Sequence, residues 1–146
     1  MKNKNYKGFS LVELLIVVAI IGIVAALAIP ALQKGIRAAE NGKTFSAMRT
    51  IATTQMGFFS QNSRFGRLSE INATLSQGIG TTSGDQLNYG KFIFEMVPAT
   101  PTDFELKSSY IIKATRNVTG EGLIYQYEIT EAGDIRQIFP APAPTP

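Results

Sequence analysis

Residues 9–32 read FSLVELLIVVAIIGIVAALAIPAL, and a single charge, Glu13, interrupts them. The 19 residues from Leu14 to Leu32 carry none. A helix that crosses bilayer hydrocarbon needs about 20 such residues. A lone span in lipid must satisfy its own backbone hydrogen bonds, so it has to be helical. Core helices of soluble domains seldom run this long without a polar face. The stretch therefore predicts a membrane helix over 9–32. An ionisable side chain inside a span is expensive and calls for a partner. That makes Glu13, one helical turn after Phe9, the first candidate functional residue. The plainer alternative is a carboxylate near the interface that reaches out to the headgroups.

Ahead of the run, MKNKNYKG carries Lys2, Lys4 and Lys7 and no acid. Positive flanks stay cytoplasmic, which sends the rest of the chain across the membrane. The leader also carries the whole net charge of +3, because from Phe9 onward basic and acidic side chains number eleven each. The basic character is therefore a local flank and not a nucleic-acid stripe. An ordinary secretory signal has an apolar region of about 7–15 residues closed by a small-x-small site. Here the run is longer and passes without a break into a second helical pattern.

Over 33–60, Phe45, Met48, Ala52, Met56 and Phe59 recur at helical spacing, with Arg37, Glu40, Lys43 and Arg49 mainly off that stripe. Residues 61–88 read as a connecting loop with one helical turn at Leu68–Leu75, rich in Gly, Thr and Ser. Strand patterns follow at Lys91–Val97, Ser109–Thr115, Leu123–Thr130 and Asp134–Phe139, with a connection at Asn117–Gly122 and a turn at Glu131-Ala132-Gly133. The expected fold is α+β. A long N-terminal helix, apolar in its first half and amphipathic in its second, packs on a C-terminal antiparallel sheet of about four strands over 89–139. A Pro-rich tail over 140–146 should be extended. Gly22, Pro30 and Gly35 weaken the long helix. Pro30 in a helix interior is either a tolerated kink or a place where the helix can bend.

Catalysis finds little support. His and Cys are absent, so no serine has a base partner of the usual kind and no thiolate or imidazole can hold a metal. Gly78-Ile79-Gly80 lacks the Lys and helix signal of a phosphate loop. Asp85, Asp103, Glu131 and Asp134 are scattered, where a calcium loop would gather carboxylates. No enzyme, metal or cofactor is expected. Asn72 and Asn117 open N-x-T patterns and read as ordinary loop asparagines.

Lys7-Gly8-Phe9-Ser10-Leu11-Val12-Glu13, followed by an apolar run to Pro30, resembles the class III signal of bacterial type IV pilins and type II secretion pseudopilins. The resemblance is close over the first 50 to 60 residues (a rough extent) and architectural beyond them. It implies that a prepilin peptidase cuts between Gly8 and Phe9, removing 1–8, and methylates the new Phe9 amine. It implies that Glu13 of one subunit pairs with the Phe9 amine of a neighbour during assembly. It implies that the helix loses regularity between Gly22 and Pro30 in the filament. Partners would be the inner membrane before assembly, the peptidase, the pilus assembly machinery and other copies of the chain. The C-terminal domain would be periplasmic in the precursor and at the cell surface in the fibre. Adhesion, twitching motility or DNA uptake would be the use, and the surface or DNA ligand stays open. Two rivals stand: a type II secretion pseudopilin, and a membrane-tethered binding module that never polymerises.

Overall fold

The computed structural model describes residues 8–118 and 122–141. The leader through Lys7 and the end of the Pro-rich tail lie outside them. Helix α1 runs Leu11–Asn62 with Pro30 inside it. The chain divides into two units, one through Ala39 and one from Glu40.

In the first unit the helix keeps its apolar side chains exposed, among them Leu14, Val18, Ile21, Val24 and Leu27. It is long and apolar enough to cross a membrane. A helix with apolar side chains exposed all round needs an apolar surround, which lipid or other helices supply.

The second unit is a six-stranded antiparallel meander. It comprises β1 (Thr81–Ser83), β2 (Gln86–Tyr89), β3 (Phe92–Met96), β4 (Ile111–Val118), β5 (Gly122–Thr130) and β6 (Ile135–Phe139), each paired with its neighbour in sequence. Helix α2 (Leu68–Thr74) precedes it. The sheet therefore has two strands more than the sequence pattern suggests. Both fall in the stretch read as a connecting loop, because β1 and β2 are short and polar and only Leu87 among them is buried. Period-2 alternation needs more residues than these to be visible.

Alternation decides the faces. Leu87, Phe94, Ala114 and Tyr127 stand side by side in one cross-strand row, and all are buried. One residue along, Gln86, Glu95, Lys113, Glu128 and Arg136 form a row on the opposite face. Its charges alternate in sign, so each directly opposed pair is favourable and a one-residue slip would bury them. The inner face closes over Met48 and Ile51 of α1, both fully buried.

The helix stripe differs from the expected one. The buried positions are Thr44, Ala47, Met48, Ile51 and Gln55, while Met56 and Phe59 are exposed. Counting only large apolar residues tilts the stripe by a fraction of a turn, because two polar residues, Thr44 and Gln55, belong to the true one. Gln55 earns its buried place by a reciprocal amide pair. Its Nε2 donates to the Gly66 carbonyl and its Oε1 accepts from the Gly66 N–H, both at 2.7 Å.

Asn72 is likewise no loop asparagine. It lies buried on α2, where its Nδ2 faces the Gly80 carbonyl at 3.0 Å and Thr82 Oγ1 at 2.9 Å, and its Oδ1 accepts from the Ile79 N–H. This ties the turn into β1 and leaves the amide no access to a sugar. The side chain of Asn117 lies outside the described ones. The same turn requires Gly80, whose φ is +145° and where a Cβ would collide with the Asn88 carbonyl.

A set of ion pairs pins the β3–β4 connection to the turn between α1 and α2. Arg64 donates to both Glu70 oxygens, at 2.9 and 2.7 Å. Arg67 donates to Asp103 at 2.7 Å and to the Pro101 carbonyl at 3.1 Å. The Arg64 hydrogen bonds hold the Glu70 carboxyl below its usual range, against a smaller opposing effect of burial. A carboxylate favoured in its ionised form by the fold stabilises above its unfolded pKa of about 4.3 and stops doing so as pH falls through its lower folded value. Urea unfolding of the full chain in detergent should therefore show a midpoint that falls between about pH 5 and pH 2. Glu70→Gln should flatten that fall. Equal acid sensitivity in the variant would remove Glu70 as its source.

Candidate functional site

The sequence places Gly8, Phe9 and Glu13 within six residues, and the structure gives them a specific local form. Residues 8–10 are outside any helix and α1 begins at Leu11. Ser10 is the reason. Its hydroxyl accepts from the Val12 N–H at 3.3 Å, and the Leu14 N–H reaches its carbonyl at 3.2 Å. Glu13 folds back, and its Oε2 accepts from the Ser10 N–H at 2.8 Å. The Glu13 half of a Ser-x-x-Glu capping box is in place, while Ser10 Oγ takes the N2 amide of Val12 instead of the N3 amide. The Glu13 carboxylate satisfies the Ser10 N–H, a donor that has no intrahelical acceptor at a helix start. The Ser-Leu-Val-Glu pattern carries this signal in plain sequence, and the sequence reading passed over it.

Glu13 thus has a local partner in the unprocessed chain. A carboxylate at the first turn also meets the positive end of the helix dipole. Both effects lower the cost of a charge so near an apolar run. Phe9 is 89% exposed, and a side chain added at Gly8 would meet nothing within 4 Å. The fold itself places no steric demand for glycine at Gly8, so any such demand comes from another molecule. Gly22 is equally unobstructed, and Pro30 sits within the continuous helix. The structure brings Ser10 and Glu13 together. Among the described residues it gives Gly8, Phe9, Gly22 and Pro30 no neighbour that would explain them.

A second polar centre lies in the C-terminal unit. Arg116 on β4 is buried, and its Nε and Nη2 donate to Glu40 Oε2 at 3.1 and 3.0 Å. Lys91 Nζ stands 3.7 Å from the other Glu40 oxygen. The partners are 76 residues apart, and nothing local in the sequence pairs them. Among the described residues no group of three carboxylates gathers to hold a metal ion.

A family model described as the prokaryotic N-terminal methylation motif matches residues 3–29. The chain is 41% identical over 63 residues to the type IV major pilin protein PilA of Myxococcus xanthus, covering 43% of this chain and 29% of that protein. It is 38% identical over 86 residues to a fimbrial protein of Moraxella nonliquefaciens, covering 58% and 51%. It is 38% identical over 79 residues to the type IV major alpha-pilin of Moraxella bovis, covering 54% and 49%. The chain spans about half, or less, of the length of these curated relatives.

Proposed function

We propose that this chain, type IV pilin-like through its methylation motif and N-terminal helix, is the structural subunit of a pilus filament. The observation that carries the reading is a methylation motif over residues 3–29 in which the Gly8-Phe9 step lies outside the helix, just before a capped helix start and an apolar run. Cleavage between Gly8 and Phe9 removes the basic leader on the cytoplasmic side and keeps the span. The new Phe9 ammonium remains charged after methylation. As subunits leave the membrane, Glu13 exchanges its own Ser10 amide for the Phe9 ammonium of a neighbour. In low dielectric an unpaired charge is strongly disfavoured and a paired one much less so, so this pairing sets the axial register of incoming subunits. The apolar faces left bare in one chain then cover each other in the filament core. Pro30, with Gly22 ahead of it, provides the place where the packed helix can lose regularity. Adhesion, motility or DNA uptake are uses of such a fibre, and the inner membrane and cell surface are its two locations.

Mass spectrometry of the native subunit tests this directly. The expected polypeptide begins at Phe9 and carries one added methyl. A native chain that retains residues 1–8 would overturn the reading.

A further inference from the structure

Phe104 is 82% exposed, although the loop that carries it is among the most tightly held in the chain. On one side Asp103 is bound by Arg67 and the Pro101 carbonyl accepts from the same guanidinium. On the other side Glu105 Oε2 accepts from the Thr102 N–H at 2.8 Å and the Thr102 hydroxyl at 2.7 Å. The Leu106 carbonyl accepts from the Phe65 N–H at 2.8 Å. An aromatic ring fixed in water packs nothing at home, yet it is already pre-organised for a partner. Aromatic anchors of this kind dominate interfaces when a pocket receives them.

The same chain offers a receiving groove of about 350 Å³. Ala52, Thr53 and Met56 of α1 and Tyr110 line it, with Arg49 and the β5–β6 turn at Glu131 completing the edge. Met56 leaves it bare at 64% exposure. Phe104 does not line it. Arg49 and Glu131 have no ion-pair partner among the described residues. The ring in turn is flanked by the acids Asp103 and Glu105 and by Lys107. Asp103 and Glu105 are held at home, whereas Lys107 has no ion-pair partner among the described residues, so Lys107 can meet Glu131 of the groove when the apolar centre is filled.

We propose that Phe104 of one copy seats in the Arg49–Met56–Tyr110 groove of a second copy. The proposal rests on the filament reading, since knob and groove are different patches. Such a contact is head-to-tail and propagates along a fibre instead of closing a pair. It adds a lateral lock between C-terminal units to the register set by Glu13.

The chain has no cysteine, so an engineered pair reads the contact without background. Cells expressing the full chain as Phe104→Cys with Thr53→Cys should give fewer fibres, as the ring is lost, but fibres whose subunits are linked into disulfide ladders. Neither single variant should form ladders. Phe104→Ala should lower fibre yield by about tenfold with an unchanged thermal midpoint, and Phe104→Tyr should restore it. Wild-type yield from Phe104→Ala together with no ladders overturns the proposal. So does normal fibre from Phe104→Ala that has lost only attachment to a foreign surface, because the ring then serves another ligand. Absence of fibres from the unaltered chain would instead overturn the filament reading itself, and this contact with it.

Discussion

Glu13→Gln is expected to leave the precursor inserted and cleaved while filaments all but disappear. The substitution is chosen with the capping box in mind. A glutamine carbonyl still accepts from the Ser10 N–H, the bond that marks the helix start. What it lacks is the negative charge that, in the proposed filament, meets the neighbour's Phe9 ammonium. Removing one partner from a buried ion pair costs about 3–5 kcal/mol, more than about a hundredfold in each subunit addition. Sheared filament mass per cell, read beside the amount of cleaved subunit in the membrane, gives the result. Wild-type fibre yield with fully cleaved Gln variant would remove the charge from the assembly mechanism and leave Glu13 a capping residue only.

Glu40→Ala should be the most damaging single change in the C-terminal unit outside its apolar core. Arg116 is buried and receives its carboxylate from 76 residues away. Taking Glu40 out removes an opposing charge held by two hydrogen bonds from that buried guanidinium, a loss of about 3 kcal/mol, the lower end for a broken buried pair because Glu40 is partly exposed. The double variant Glu40→Ala with Arg116→Met should recover most of the loss, since an apolar replacement for both partners is often neutral. Urea unfolding of the wild type, both single variants and the double variant closes the cycle. A Glu40→Ala midpoint equal to wild type, or a double variant no better than Glu40→Ala, would rule out the pair as a stabilising link.

Legibility followed the range of the interaction. The helix over the apolar run, the strand alternation through Tyr125, Tyr127 and Ile129, and the motif around Phe9 all depend on residues a few positions apart, and all could be read directly. The two short strands could not, because three or four polar residues carry no periodicity of their own and are recruited only by the edge of β3. The stripe of α1 was misplaced for a related reason. Thr44 and Gln55 are core residues only because the i−4 carbonyl of Glu40 and the backbone of Gly66 satisfy them, and the second of those partners comes from a turn that sequence spacing does not locate. Glu40 and Arg116 form the extreme case, a pairing that exists only once the sheet lies over the helix. The Ser10 cap stands apart. It is local and readable, since Ser-x-x-Glu before an apolar run is a helix-start signal whatever else the Glu13 charge does.

The sheet order has a kinetic consequence. Every strand pairs with the next in sequence, so each hairpin can close over a short loop as the chain emerges, and short closures are fast. The helix is made first but finds its cover last. Its link to Arg116 has to wait until β4 has been delivered. Docking of the helix on the sheet is therefore the longest-range step in this wiring and follows the hairpins it depends on.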